Sequence, residues 1–279
     1  MLSLSAAPAV SSSGKTNPFR RLVRWARWRL PRRISAHRIL TGPLRGKRIV
    51  TSWRDYPAAI AGITEPELLS WFERNVGPGE TWLDIGAHYG YTAISLAGLV
   101  GASGRVFAFE PMTATAGCLA RTRQANDLEC LTVLPLALGS GENIRLERLA
   151  TVRGMVDSTL NLSKGGVGPQ QSWSEMILVA PMDWLWPRIC QERPRIHGVK
   201  IDVQGMELHV LRGMAETLRL HRPKLVVEFH RGVDRTEALG LLRGIGYSSL
   251  AVPVEPMPGE VEPRFADDRS YAFSIADGS

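Results

Sequence analysis

Twice along this chain a short apolar run ends in an acid, a glycine follows within three residues, and a helix-forming segment begins. The first instance is Thr81-Trp-Leu-Asp-Ile-Gly-Ala-His-Tyr-Gly90, leading into Tyr91, Ile94, Ser95, Ala97 and Gly98. The second is Val199-Lys-Ile-Asp-Val-Gln-Gly-Met-Glu207, leading into Leu208, Leu211, Ala215 and Leu218. Each reads as a strand, a turn and an amphipathic helix, with glycine where backbone must turn sharply or let a ligand approach. Further strands are expected at 105–110, 131–136, 224–229, 247–252 and 271–275, and further helices at roughly 113–126, 206–220 and 234–244. Such alternation predicts an α/β fold, a mostly parallel sheet covered by helices on both faces.

In such a sheet, ligands bind beyond the carboxyl ends of the strands. Glu110 ends the strand Arg105-Val-Phe-Ala-Phe, twenty residues after Gly90, where an acid can take both hydroxyls of a ribose. The glycine spacing narrows the nucleotide. A dinucleotide fingerprint needs Gly-x-Gly-x-x-Gly to seat a pyrophosphate. Here the pattern is Asp84-x-Gly86-x-x-x-Gly90, with an acid two residues before the first glycine. A carboxylate there repels pyrophosphate and suits the ammonium of a phosphate-free, cationic nucleoside. S-adenosylmethionine is such a ligand, with Asp84, Gly86, Ala87, His88, Tyr89, Gly90 and Glu110 as its expected contacts. The same spacing argues against a nicotinamide dehydrogenase.

The second block adds a further set of polar side chains. Lys200 and Asp202 share one side of their strand, and Glu228 and His230 share one side of the next, because side chains alternate. Glu207 falls in the first helical turn, where the macrodipole favours an anion. Asp84, Glu110, Asp202 and the Glu228/His230 pair therefore end four parallel strands and form one polar rim.

Charge divides the chain unevenly. Residues 1–54 hold thirteen Lys or Arg and no acid, so the net charge of +7 belongs to the N-terminal segment, and the remainder carries 21 basic against 27 acidic residues. A nucleic-acid enzyme would place its positive face on the domain that does the chemistry. The expected organisation is a basic arm at 1–36, a lead-in at 37–80 and the α/β body at 81–279. In the arm, residues 1–18 are rich in Ser, Ala and Pro. Residues 19–30 offer an amphipathic helix with Phe19, Leu22, Val23, Ala26 and Leu30 on one stripe, ended by Pro31. With Arg32 and Arg33 it could lie on an anionic membrane or an acidic partner, pack on its own domain, or serve as an Arg- and Ser-rich transit segment. Three cysteines without metal-ligand spacing point to a reducing, cytoplasmic setting, with peripheral membrane contact through the arm as a further option.

In the lead-in, a hairpin is expected through 41–50, and Thr64 with Glu67 has capping-box spacing before a helix opened by Pro66. Residues 151–175 are polar and glycine-rich, and read as a lid or an excursion from the fold.

These motifs together resemble the FkbM family of S-adenosylmethionine-dependent methyltransferases. The resemblance rests on Gly62-Ile-Thr-Glu-Pro-Glu67, Trp82–Tyr91, Phe109-Glu-Pro111, Leu136-Ala-Leu-Gly139, Val199–Glu207 with Leu211-Arg-Gly213, and Val227-Glu-Phe-His230. It implies a class I methyltransferase (Rossmann-like) fold with strand order 3-2-1-4-5-7-6, and O-methylation of a sugar, polysaccharide or secondary metabolite. It also places Glu65 and Asp202 among the cofactor residues. Many members carry Asn at position 88 and Glu at 204. Gln204 cannot accept a proton near neutral pH, which removes that position as a base. His230 is the expected general base, with Glu228 orienting it and Asp202 or Lys200 holding the acceptor. Asp202, Glu228 and His230 also suit Mg²⁺ or Mn²⁺, although no metal site is predicted. Two other readings share the cofactor. A nucleic-acid methyltransferase would use the basic arm, but the body is acidic and an Asn/Asp-Pro-Pro-aromatic motif is absent. A non-catalytic scaffold would bind the cofactor without turnover.

Overall fold

The protein is described from a computed structural model over residues 29–152, 172–190, 192, 194–256 and 267–276. The amphipathic segment 19–30 lies almost wholly outside this range, and the polar stretch 153–171 lies outside it entirely.

A hairpin opens the chain, β1 (Ser35–Arg38) against β2 (Arg48–Thr51), followed by helices α1 (Pro57–Ala61) and α2 (Pro66–Asn75). The arm boundary expected at residue 36 thus falls inside β1, and the Arg54 amide donates to the Pro31 carbonyl at 3.2 Å. The expected capping box is absent. Glu65, not Thr64, is the N-cap of α2, its side chain makes no cap bond, and its φ is +51°. Positive φ is uncommon for a residue other than glycine.

The body then alternates β3 (Thr81–Ile85), α3 (Tyr91–Val100), β4 (Arg105–Phe109), α4 (Thr113–Ala125) and β5 (Leu131–Leu134). An excursion follows: β6 (Ala137–Leu138), β7 (Arg145–Val152), β8 (Ser172–Ala180) and α5 (Met182–Ile189). The pattern resumes with β9 (Gly198–Ile201), α6 (Glu207–Gly213), α7 (Ala215–His221), β10 (Lys224–Phe229), α8 (Arg235–Ile245), β11 (Tyr247–Pro253) and β12 (Arg269–Ile275). The single helix expected at 206–220 is two. A Cβ on Gly213 would sit 2.0 Å from the Gly139 carbonyl oxygen, so the chain closes onto the β6 loop there and restarts after Met214.

Among the described residues the main sheet has seven strands in the order β11-β12-β10-β9-β3-β4-β5. Only β12 runs against its neighbours. Counted within the sheet in chain order, this is 3-2-1-4-5-7-6. A second sheet, β6-β8-β7, includes residues 151–152 and 172–175, which sequence alone assigns to the polar insertion.

Side-chain alternation fills both faces. Leu83, Ile85, Phe107, Phe109, Val199, Ile201, Leu225, Val227 and Phe229 pack toward α5–α8. Trp82, Val106, Ala108 and Val226 pack toward α2–α4 and the β1–β2 hairpin. Trp82 is fully buried and meets Trp71 and Phe72 edge-on, with its indole N–H on Glu80 Oε2 at 2.8 Å. Burying each such side chain contributes about 1.5–3 kcal/mol, and the indole bond spares the cost of an unpaired donor.

Candidate active site

The second face changes character toward the carboxyl ends of the strands. Ala108, Asp84, Lys200 and Val226 lie side by side across four strands in register. The next row on the same face, one pleat further on, is Glu110, Gly86, Asp202 and Glu228, with His230 one pleat beyond Glu228. Hydrophobic alternation thus carries four strands into a single polar rim. Gly86 is the gap in that row. Its φ is +82°, and a Cβ there would lie 1.8 Å from the Asp202 carbonyl oxygen.

The half formed by β3 and β4 is held largely by backbone. Glu110 is 7% exposed; its Oε2 accepts from the His88 amide and its Oε1 from the Met112 amide, both at 3.0 Å. Each oxygen keeps a lone pair for a further donor. Burial pushes this carboxyl up to about 7, against the pull of the two amides. The Gly86 and Ala87 amides donate to the Phe109 carbonyl, which fixes the turn, and Gly90 begins α3 at φ +95°. His88 sits at φ +49°, a region that Asn and His enter more readily than most residues, so the departure from Asn at this position leaves the loop geometry intact. Its ring lies edge-on to Tyr56 and Tyr89, and burial holds it down to about 4, against the pull of Asp202, so it is neutral at pH 7.

Beneath the loop, Asp84 is wholly buried. Its Oδ2 accepts from the Thr92 hydroxyl at 2.7 Å, and its Oδ1 lies 3.4 Å from Lys200 Nζ with no hydrogen-bond partner. Lys200 also reaches Asp202 Oδ2 at 3.3 Å and the Gly86 carbonyl at 3.2 Å. Burial works against its charge, yet Asp202, Asp84, Glu65 and Glu228 together hold it well above the ordinary lysine range. Lys200 is therefore a fixed cation that ties both halves of the rim together and keeps its protons at neutral pH. Glu65 is brought to the same place by its left-handed backbone. Tyr56 donates to its Oε1 at 3.5 Å, Oε2 is buried without a partner, and burial raises it to about 7.

The β9–β10 half is held by side chains. His230, 7% exposed, donates from Nδ1 to Glu207 Oε1 at 2.7 Å. Its Nε2 faces Asp202 Oδ1 at 3.6 Å, Glu228 Oε1 at 3.4 Å and the Gln204 amide at 2.8 Å. The residue that orients the imidazole is thus Glu207, at the start of α6, and Glu228 stands on the opposite edge of the ring. Burial pulls His230 down, but the Glu207 bond and the charges of Asp202, Glu207 and Glu228 outweigh it and raise the imidazole to about 9. Glu228 is itself raised, by burial and then by Asp202, so the pair titrates as one unit.

All the expected site residues converge on this rim or the loop over it. Sequence reading missed Thr92, Tyr56 and the orienting role of Glu207. Each is carried in by a helix or loop whose contact with the strand spacing does not encode.

The set suits S-adenosylmethionine on the structure's own terms. Glu110 has free acceptor capacity, the Glu65 and Asp84 carboxylates leave buried oxygens without hydrogen-bond partners, and the one lysine is internally neutralised, so the rim as a whole welcomes a cation rather than a phosphate.

The family model described as methyltransferase FkbM domain matches residues 84–249. No curated protein sequence matches significantly. Among solved structures, the methyltransferase FkbM from Methylobacillus flagellatus KT is 20% identical, with 74% of this chain and 50% of that one covered and a TM-score of 0.46. This chain thus spans about half the length of that relative. A SAM-dependent O-methyltransferase from Thermotoga maritima is 15% identical over 78% of this chain and 68% of that one, at a TM-score of 0.43. Fibrillarin from Aeropyrum pernix, solved with natively bound S-adenosyl-L-methionine, is 12% identical over 88% and 89%, at a TM-score of 0.45. Among the described residues no helix is long and apolar enough to cross a membrane. With more than half its length matched by the family model, the chain belongs to the FkbM family of S-adenosylmethionine-dependent methyltransferases.

Proposed function

We propose that this protein methylates a hydroxyl group of a sugar, polysaccharide or secondary metabolite. The observation that carries this reading is the division of one rim into two chemically distinct halves on adjacent strands. Bound S-adenosylmethionine supplies an electrophilic methyl group. Glu110 accepts the ribose hydroxyls, the 86–90 loop gives its glycine-lined backbone to the nucleoside, and Asp84 with Glu65 sets a negative potential toward the cationic end of the donor. Lys200 holds Asp202 and the loop at fixed separation through Asp84, the Gly86 carbonyl and Asp202 itself.

Asp202, Glu228 and His230 then receive the acceptor hydroxyl. Holding that oxygen in line with the methyl group supplies much of the acceleration, and accepting its proton at His230 requires the imidazole, raised to about 9, to lose its own proton first. The acidic balance of the body fits a neutral or hydroxyl-rich acceptor better than a polyanion.

The test is methyl transfer from labelled S-adenosylmethionine into extracts fractionated into polysaccharide, small metabolites and RNA. Label is expected in one of the first two fractions, and His230→Ala should slow it at least tenfold with cofactor affinity unchanged. Label confined to RNA would overturn the acceptor class. Tight cofactor binding with no transfer to any fraction would favour the scaffold.

A further inference from the structure

We propose that Asp202, Glu228 and His230 form a binding site for a divalent cation of the Mn²⁺ type. One donor atom from each lies within 4.8 Å of the other two. His230 Nε2 stands 3.6 Å from Asp202 Oδ1 and 3.4 Å from Glu228 Oε1. An ion with ligands at about 2.1–2.3 Å sets neighbouring donors roughly 3.0–3.7 Å apart and opposed donors about 4.2–4.6 Å apart. Both separations from His230 Nε2 fall within the range for neighbouring donors.

A second observation lies outside the three ligands. Each offers one donor inward while its other polar atom is held by an outer partner. Lys200 Nζ holds Asp202 Oδ2 at 3.3 Å, Glu207 Oε1 holds His230 Nδ1 at 2.7 Å, and Ser270 Oγ donates to Glu228 Oε2 at 3.2 Å. Outer partners of this kind orient metal ligands, and a carboxylate on Nδ1 directs Nε2 at the ion, which binds there by displacing the Nε2 proton. Glu207 is completely buried; its Oε1 is held by His230 Nδ1 and by the Gly205 amide, while its Oε2 has no hydrogen-bond partner. A buried acid in that position is stabilised by a cation on the other side of the ring.

The donor set selects the ion. Two carboxylates and one imidazole, with no thiolate, match a hard to borderline cation. Gln204 caps the group with its amide 2.8 Å from His230 Nε2 and 3.4 Å from Asp202 Oδ1. Turning the amide over presents its oxygen as a neutral fourth donor. Such an ion would sit on the part of the rim assigned to the acceptor hydroxyl; that last statement alone rests on the function proposed above.

The experiment titrates Mn²⁺ into the full chain, without cofactor or acceptor, and follows free Mn²⁺ by electron paramagnetic resonance. One Mn²⁺ per chain is expected, displaced by excess Mg²⁺, with affinity reduced at least tenfold in Asp202→Asn and in His230→Gln and unchanged in Glu216→Gln, an exposed acid elsewhere. As a readout that needs no variant to fold, substoichiometric Mn²⁺ should broaden the His230 imidazole resonances before those of the five other histidines. No binding, binding that survives both substitutions, or uniform broadening of all histidines would overturn the site. Because nothing here reads methyl transfer, loss of the metal site and loss of the proposed activity give separate results.

Discussion

The two halves of the rim solve the same problem with different materials. On β3–β4 the shape comes from main chain: left-handed Gly86, His88 and Gly90, two amides on Glu110, and two more on the Phe109 carbonyl. On β9–β10, beyond a turn with left-handed Gln204 and Gly205, it comes mostly from side chains that hold one another: Lys200 on Asp202, Glu207 on His230, Ser270 on Glu228. A backbone-built site tolerates little substitution at the residues that shape it, and keeps its form when a nearby side chain changes. A side-chain site can be altered one group at a time, at the risk of leaving a buried partner unpaired.

The largest effect should come where both halves meet. Gly86→Ala adds a Cβ 1.8 Å from the Asp202 carbonyl oxygen at a backbone angle that L-residues rarely adopt. It should cost about 3 kcal/mol or more in stability and damage cofactor binding and transfer together. Chemical denaturation with parallel calorimetry checks this. A stable variant that loses only one of the two functions would show that the halves are not joined through this contact.

Next comes the contrast between single side chains. Glu110→Ala should weaken S-adenosylmethionine by about 1.5–3 kcal/mol, the worth of charge-assisted hydrogen bonds to the ribose, roughly ten- to a hundredfold. Glu207→Gln should leave that affinity alone and lower kcat, because it loosens the imidazole on the other half. Equal effects of both substitutions on cofactor affinity would erase the distinction between the halves.

The same contrast explains what could be read from the residues alone. The β3–β4 half is local: acid, glycine, glycine and a further acid fall within 27 residues, so their arrangement can be read from spacing. For β9–β10, alternation correctly paired Lys200 with Asp202 and Glu228 with His230, but the identity of the histidine's partner depends on how the start of α6 packs against β10, and spacing carries no trace of that. The excursion was harder. Leu146, Met176 and Leu178 face outward on β7 and β8 while Leu149, Ile177 and Val179 face inward, so no polar alternation marks these strands. Pro187 sits inside α5, where a proline usually argues against a helix. The main sheet was legible because its strands are apolar on both faces and bounded by glycine and acid.

The smallest effect is protonic, and it separates the halves without mutating either. Burial holds Glu65 and Glu110 at about 7 in the free protein. For a carboxyl raised on folding, the contribution to stability is fully present below the unfolded value, near 4.5, and is lost as pH rises through about 7. Both groups are then partly protonated at neutral pH. Ribose hydroxyls donating to Glu110, and a cation near Glu65, favour the ionised forms. S-adenosylmethionine binding at pH 7 should therefore release protons, and the release should fade toward pH 9, where both carboxyls are already ionised. Calorimetry in two buffers of different ionisation enthalpy measures it, and Glu110→Gln should remove part of the release. Net proton uptake, or a release that persists undiminished at pH 9, would mean that the cofactor half binds its ligand through groups other than these two acids.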